Sequence, residues 1–173
     1  FSDEMYRFLE HDQTNRISST CDLYENAICL FGMSKSFALA GLRIGWLATK
    51  NSDFIQKFAI LKDYTTICSS APSEILAIIA LRNKENILKR NLDNINSNLK
   101  ILDDFFTNHI KFFDWYKPKA GPIGFPKFKS DVDIADICLD LVEKNGVMLL
   151  PGRVYGYKNN NFRIGFARKN MPE

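Results

Sequence analysis

Residues 32–46 read GMSKSFALAGLRIGW, a glycine-framed stretch that contains one lysine and one arginine. Lys35 follows a short apolar run over residues 27–31, and Arg43 comes eight residues after the lysine. The apolar run predicts a buried strand of a parallel or mixed sheet, and residues 42–49 predict a second strand. The quoted stretch is therefore the connection between two strands. A lysine in such a place is by itself most often a solvated charge, so its role depends on the surrounding sequence.

The composition is that of a globular protein. The chain has 173 residues, of which 46% are hydrophobic and 25% charged. These fractions exclude a disordered tail, a collagenous repeat and a small disulfide scaffold. The excess of 23 basic over 20 acidic residues gives a net charge of +3, which is too small to indicate a nucleic-acid partner. No apolar run approaches the length of a membrane span. One large domain or two small ones fit this length.

The cysteines indicate a reducing compartment, and hence a cytoplasmic protein. Cys21, Cys29, Cys68 and Cys138 form no CxxC pair and have no zinc-ligand spacing. The two histidines are far apart in the sequence. We therefore expect no metal site, and we expect four free thiols that pack as small hydrophobic side chains.

Three helices are predicted from apolar spacing in the first two thirds of the chain. Ser52 is a candidate N-cap for a helix over residues 53–64, and Ser73 for a helix that follows Pro72. Residues 82–84 form a break or bend before a longer helix. Its apolar residues recur every three or four positions along one stripe: Leu88, Leu92, Ile95, Leu99, Leu102 and Phe106. The stripe indicates packing, not a cofactor site.

The remaining third of the chain predicts a smaller α+β part. Strands are expected at residues 112–116 and 125–128 and, later, at 147–150 and 162–167. A helix over residues 131–145 should end at Gly146. The fold class is therefore α/β, with a β/α part before the long helix and an α+β part after it.

Three short patterns occur in this chain, and each alone is too common to indicate a function. Their order along the chain is what makes them informative. They are DEMY at residues 3–6, the stretch 32–46 with its lysine and arginine, and FRIGF at residues 162–166. In this order they resemble the pyridoxal-phosphate-dependent aminotransferases of class I/II, the aspartate aminotransferase superfamily. Residues 32–46 resemble the cofactor-lysine signature of that family almost from end to end. The resemblance covers nearly the whole chain and corresponds to the second half of a family member.

The resemblance implies a fold of the PLP-dependent transferase type. Residues 1–82 would be the C-terminal part of the large domain, which has a mixed or parallel sheet and binds the cofactor. Residues 83–173 would be the small C-terminal α+β domain, truncated at its end. The implied activity is amino-group transfer from an amino acid to a 2-oxo acid through a lysine Schiff base with pyridoxal 5′-phosphate. A homodimer that acts on small molecules, with no nucleic-acid or membrane partner, is expected.

The resemblance also assigns roles to five residues around the cofactor. Lys35 would be catalytic, forming the Schiff base and moving the substrate proton. Asp3 would face the pyridine nitrogen, and Tyr6 would donate a hydrogen bond to the phenolate oxygen. Arg43 would bind the phosphate through its guanidinium fork. Ser34 would help to position the loop.

The substrate carboxylate is expected to bind an arginine near the end of the chain. Arg163 is preferred because it lies in an apolar run, where a guanidinium needs a partner; Arg168 is the competing residue. Arg153 is interpreted as a surface or entrance residue. The sequence departs from the family at Gly32, where many members have a hydroxyl side chain that binds the phosphate.

Two alternatives stay open at this stage. C–S lyases and decarboxylases of the same superfamily share the lysine, the aspartate and the arginines, so the reaction type is not decided. The chain as given is also interpreted as a non-catalytic piece, with weak cofactor binding and little turnover on its own.

Overall fold

The computed structural model describes residues 1–171. The chain divides into two compact units, the first over Phe1–Leu92 and the second from Asp93 onward. The division falls inside a long helix, ten residues beyond the domain boundary predicted between residues 82 and 83.

The first unit contains a three-stranded sheet in the order β1-β2-β3. Its strands are β1 (Ser2–Asp3), β2 (Cys29–Gly32) and β3 (Gly45–Ala48). Strand β1 runs parallel to β2, with Asp3 opposite Leu30. Strand β3 runs antiparallel to β2, and Gly32 faces Gly45 at that end. Both predicted strands are thus present, but β3 is shorter than residues 42–49 because a turn of 3₁₀ helix over Ala40–Leu42 precedes it.

The polar segment between β1 and β2 contains two short helical turns. These are a 3₁₀ turn over Gln13–Asn15 and helix α1 over Thr20–Leu23. Helices α2 (Ser52–Thr65) and α3 (Ala71–Arg82) follow the sheet.

Both predicted N-caps in the first unit are wrong. Asn51, not Ser52, caps α2, and its side chain accepts hydrogen bonds from the backbone of Asp53 and Phe54. Helix α3 begins before Pro72, so its N-cap residue is Ser70 and not Ser73. Pro72 lies in the first turn, where its missing N–H leaves no helical hydrogen bond unmade.

Helix α4 (Lys84–Asn108) follows α3 after the single residue Asn83, which confirms the predicted break. The predicted apolar stripe is largely buried: Leu88, Ile95, Leu99, Leu102 and Phe106 are each at most 8% exposed. Because the stripe has helical period, one side of the helix packs while the other remains polar.

The second unit combines α5 (Ile134–Asn145) with short antiparallel strands. Strand β4 (Phe113–Asp114) pairs with β6 (Lys127–Phe128), and β8 (Phe162–Gly165) lies between β5 (Ile123–Gly124) and β7 (Leu150–Pro151). Gly146 ends α5 with a φ of 67°, as predicted.

An aromatic core fills the second unit. The Phe106 ring stacks on Trp115 at 4.6 Å, and Phe113 lies 5.5 Å from Phe128. Asn98 is buried and donates its amide to the carbonyls of Phe166 and Arg168. This amide holds the segment that follows β8 against α4.

The four cysteines are free, as predicted, but they do not all pack in the core. Cys29 and Cys138 are buried, whereas Cys68 is exposed, so the packing prediction is wrong for Cys68. Within residues 1–171, no helix has the length and apolar character needed to cross a membrane.

Candidate functional site

The sheet of the first unit brings chemistry-bearing residues to one edge. Strands β1 and β2 are parallel, so their carboxyl ends meet, and the antiparallel β3 begins at the same edge. Asp3 ends β1, Lys35 follows β2, and Arg43 precedes β3. Loops at the carboxyl ends of parallel strands are the usual place for ligand sites in such sheets.

The side chains of Lys35 and Tyr6 come together at this edge. The Lys35 Nζ atom lies 5.9 Å from the centroid of the Tyr6 ring, within the range of a cation–π interaction. Lys35 is exposed and Tyr6 is half-buried. The amine is therefore held near the phenol and remains accessible to a ligand.

The carboxylate of Asp3 is fixed by the turn that follows it. Asp3 Oδ1 accepts a hydrogen bond of 3.0 Å from the Met5 amide, and Asp3 itself is exposed. The Glu4 amide donates to Leu30 O at 2.9 Å, which continues the parallel pairing one residue further. The turn places Tyr6 three residues beyond Asp3 at the same edge.

Glu4 stabilises this turn, a role that was not predicted from the sequence. Its side chain is 9% exposed. Its carboxylate accepts hydrogen bonds of 2.9 Å from both Ser19 Oγ and the Thr20 amide, and it pairs with Arg7 at 3.1 Å. Burial acts to raise the pKa of Glu4, but these donors, a Cys29 hydrogen bond and the Arg7 charge hold the pKa below its ordinary value. Glu4 is a buried charge with its partners in place, not a proton donor.

The turn that carries Lys35 is held by backbone bonds to the start of β3. The Met33 amide donates to Ile44 O at 3.0 Å, and the Leu39 amide donates to Met33 O at 2.9 Å. Met33 and Phe37 point into an apolar cluster with α3. Ser34 lies half-buried in this turn, next to the lysine.

Arg43 lies at the end of the 3₁₀ turn with a left-handed backbone, its φ being 51°. Its Nη1 atom donates to Ala40 O at 3.0 Å, and the residue is exposed. One guanidinium nitrogen is thus tied to the protein, which orients the fork at the edge of the sheet.

Tight packing explains why a glycine occupies position 32. A Cβ on Gly32 would lie 3.1 Å from Ile44 O and 3.2 Å from the Gly45 Cα. Opposite it, a Cβ on Gly45 would meet Phe31 O at 2.8 Å. A side chain at position 45 would require the backbone to shift, and one at position 32 would require its neighbours to move by a few tenths of an ångström, so the close approach of the two strands favours glycine at both positions.

Arg163 lies in the second unit, on β8, half-buried and opposite Leu150. The structure therefore does not bring it into the same unit as the other predicted site residues. Arg168 is exposed, and Arg153 lies 3.8 Å from Asp133 in an exposed ion pair.

The comparisons with known proteins identify the family. The sequence profile described as Aminotransferase class I and II matches residues 1–173. The chain belongs to this family, which confirms the prediction from sequence.

Two solved structures and one curated protein are among the similar proteins. The chain is 31% identical to a PLP-dependent aminotransferase from Streptococcus suis, with a TM-score of 0.88 over 95% of this chain and 42% of the other. It is 25% identical to the PLP-dependent cyclase OrfR, with a TM-score of 0.83 over 95% of this chain and 44% of the other. It is 28% identical over 166 residues to capreomycidine synthase from Streptomyces vinaceus, covering 95% of this chain and 42% of that protein.

These matches confirm the predicted α/β fold of the PLP-dependent transferase type. They also confirm the predicted cofactor for the family, pyridoxal 5′-phosphate, since two of the similar proteins are PLP-dependent. The chain spans less than half the length of the relatives it matches, 42% in the case of capreomycidine synthase.

The residues at the sheet edge fit this cofactor chemically. An amine suits the aldehyde, a carboxylate suits a protonated pyridine nitrogen, and a guanidinium fork suits a phosphate. Lys35, Asp3 and Arg43 supply these groups, and all three are exposed at the edge. Tyr6 adds a phenol, whose ring centroid lies 5.9 Å from the lysine Nζ atom.

Proposed function

We propose that the whole protein is a pyridoxal-phosphate-dependent aminotransferase that transfers an amino group from an amino acid to a 2-oxo acid, with Lys35 as the residue that carries the cofactor. The observation that supports this best is the Lys35 amine, which lies 5.9 Å from the Tyr6 ring at the sheet edge where Asp3 ends β1 and Arg43 precedes β3.

The bound cofactor supplies an electron-accepting ring that stabilises negative charge at the amino-acid Cα. In this proposal the Asp3 carboxylate holds a proton on the ring nitrogen. The bond from the Met5 amide to Asp3 Oδ1 fixes the direction of the carboxylate. Preorganised charge of this kind needs no rearrangement during the reaction.

Lys35 and Tyr6 act as a pair. Lys35 would hold the cofactor through its amine at the aldehyde carbon, with loss of water, and the same amine would serve as the base that takes the proton from the substrate Cα. Tyr6 would donate a hydrogen bond to the phenolate oxygen, and its ring lies 5.9 Å from the Lys35 Nζ atom. The pair keeps the amine near the reacting carbon.

Arg43 would bind the phosphate through its guanidinium fork, since the one hydrogen bond to Ala40 O orients the group and leaves four of its five N–H donors for the phosphate. Ser34 helps to shape the turn beside it. At position 32 only the backbone N–H is available to the phosphate, since Gly32 has no side chain. Arg163 pairs with the substrate carboxylate.

The wider properties are proposals of the same kind. We expect a cytoplasmic homodimer in which a second subunit completes the site. We also expect the isolated 173-residue chain to bind the cofactor weakly and to show little or no turnover.

The test is chemical trapping on the whole protein. Pyridoxal phosphate is added, the adduct is reduced with borohydride, and the digest is analysed by mass spectrometry. We expect a stoichiometric pyridoxyl group on Lys35, its loss in Lys35→Ala, and its retention in Lys50→Ala, which removes another exposed lysine. An adduct on a different lysine, or none, contradicts the proposal.

A second candidate is a PLP-dependent reaction other than transamination. It is favoured by the similarity to capreomycidine synthase and to the cyclase OrfR, and it includes the lyase and decarboxylase alternatives. Incubation with amino acids and 2-oxoglutarate separates the two. New glutamate indicates transamination, whereas ammonia with pyruvate, carbon dioxide or a cyclised amino acid indicates the second candidate.

A further inference from the structure

We propose that Ser36 and Asn91 are positioning residues. Their hydrogen bonds to the backbone next to Tyr6 and next to Lys35 hold the tyrosine close to the lysine. This inference rests on the proposed function of Lys35. Neither residue belongs to the set predicted from the sequence.

Ser36 directly follows Lys35, but its side chain points away from solvent. The residue is 3% exposed. Its Oγ atom lies 2.6 Å from Arg7 O and 3.0 Å from Met5 O. A serine hydroxyl has one hydrogen, so the two carbonyls share a single donor.

The two carbonyls belong to the residues on either side of Tyr6. Ser36 thus joins the residue after the lysine to both neighbours of the tyrosine. The backbone positions of the two side chains are fixed relative to each other through this one hydroxyl, although 29 residues separate Arg7 from Ser36 in the sequence. The contact of 5.9 Å between Lys35 Nζ and the Tyr6 ring depends on that fixed geometry.

Asn91, on helix α4, holds the other side of Ser36. Its Nδ2 atom donates to Ser36 O at 2.9 Å, and the two residues are 55 positions apart in the sequence. Ser36 therefore connects three separate parts of the first unit: the turn after β1, the turn after β2 and the helix. A buried carbonyl without its donor is unfavourable, so each of these bonds favours one arrangement.

A positioning role for the Ser36 hydroxyl predicts a different effect of mutation from a role in core packing. An alanine fills nearly the same space as a serine, so Ser36→Ala leaves the core filled. It leaves Met5 O and Arg7 O without their donor, and the tyrosine is then free to move relative to the lysine. The effect should therefore pass through Tyr6.

The experiment uses the whole protein and two readouts on the Lys35 adduct with pyridoxal phosphate. One is the rate of adduct formation, followed by borohydride trapping, and the other is the pH midpoint of the adduct's absorbance. Ser36→Ala is expected to slow formation roughly tenfold and to move the midpoint by about half a pH unit or more. Ser36→Thr keeps the hydroxyl and should restore the wild-type midpoint.

The decisive comparison is a double-mutant cycle with Tyr6→Phe. If Ser36 acts through Tyr6, Ser36→Ala adds no further shift in midpoint once the tyrosine hydroxyl is gone. An equal shift in both backgrounds, or no shift in either, overturns the proposal.

Asn91→Ala is the second variant, should Ser36→Ala fail to fold. It is expected to move the midpoint in the same direction, whereas Asn96→Ala, an exposed asparagine on the same helix, should leave it unchanged. Equal effects of the two asparagine variants overturn the role of Asn91. Absence of any Lys35 adduct in the wild-type protein refutes the proposed function, and this inference with it.

Discussion

Glu4 follows the proposed cofactor residue Asp3 in the sequence, but its carboxylate has a structural role. It accepts hydrogen bonds from Ser19 and Thr20 and pairs with Arg7 while almost buried. These partners favour the ionised form, so the pKa is held below its ordinary value of 4.5. The charge therefore stabilises the folded first unit at neutral pH.

Glu4→Gln is expected to destabilise the first unit by about 1–3 kcal/mol at pH 7, because a neutral amide pairs less well with Arg7 and the two donors. Since the folded-state pKa is lowered, this stabilisation is fully present above the ordinary pKa and is lost as pH falls through the folded-state value. The difference between wild type and variant should thus shrink as the pH falls below about 4.5.

Hydrogen exchange of the β2 amides, measured at pH 7 and again under acid conditions, reports the stability of this unit separately from the second. Glu25→Gln is the matched control, because Glu25 is exposed in the same connecting segment. A constant difference across the pH range, or an equal effect of the control, contradicts the assignment of a paired buried charge.

At the scale of single residues, the proposed cofactor-binding lysine and arginine were predictable because they lie in one compact sequence motif. Lys35 and Arg43 lie eight positions apart, and their spacing is readable directly. The residues that hold this motif were not readable, because their partners are distant in the chain. Ser36 bonds to Arg7 and Asn91 to Ser36, across 29 and 55 residues respectively. Nothing in local spacing distinguishes such a serine or asparagine from a solvated one.

At the scale of the elements, the start of α2 shows which of two neighbouring residues, Asn51 or Ser52, caps the helix. Asn51 Oδ1 accepts from the Asp53 amide at 2.9 Å and from the Phe54 amide at 3.2 Å. Asn51→Ala should therefore destabilise the helix by about 1 kcal/mol, whereas Ser52→Ala should change stability by less than about 0.5 kcal/mol. Amide exchange in the first turn of α2 measures both, and a larger effect at Ser52 would restore the cap predicted from sequence.

Long periodic elements were predictable and short ones were not. The stripe on α4 and the end of α5 at Gly146 follow from helical spacing and from a glycine in the left-handed region. By contrast, β4 covers only Phe113–Asp114 of the expected residues 112–116. A strand this short is defined by its pairing with β6, which is a tertiary contact and leaves no periodic signal.

For the whole molecule, the family and the α/β fold were predictable, because the motif at residues 32–46 indicates the family and the order of helices and strands agrees with its fold. The limits of the two domains stay a prediction. The compact units divide at Leu92, within a helix, where continuous periodicity gives the sequence no sign of a boundary. The reaction type also stays a prediction, because the chain spans less than half of its relatives' length.

Helix α3 of the first unit exposes several large apolar side chains. Helix α3 is apolar nearly all round, and Ile75, Leu76, Ile78 and Ile79 are each about half exposed, from 48% to 59%. A helix with this composition is normally buried on all sides, and large exposed apolar patches favour association. We therefore expect the isolated 173-residue chain to bind a hydrophobic dye and to self-associate at micromolar concentration.

The double variant Ile75→Glu and Ile78→Glu should reduce both dye binding and association, since it places charge within the exposed face. Asn96→Glu adds a negative charge to an exposed position of α4 and should change neither. Size-exclusion chromatography with light scattering gives the mass directly. A wild-type chain that stays monomeric and binds no dye over the whole concentration range would show that this face is stable in water. An equal effect of Asn96→Glu would assign the association to net charge, because the apolar surface of α3 would then not be its cause.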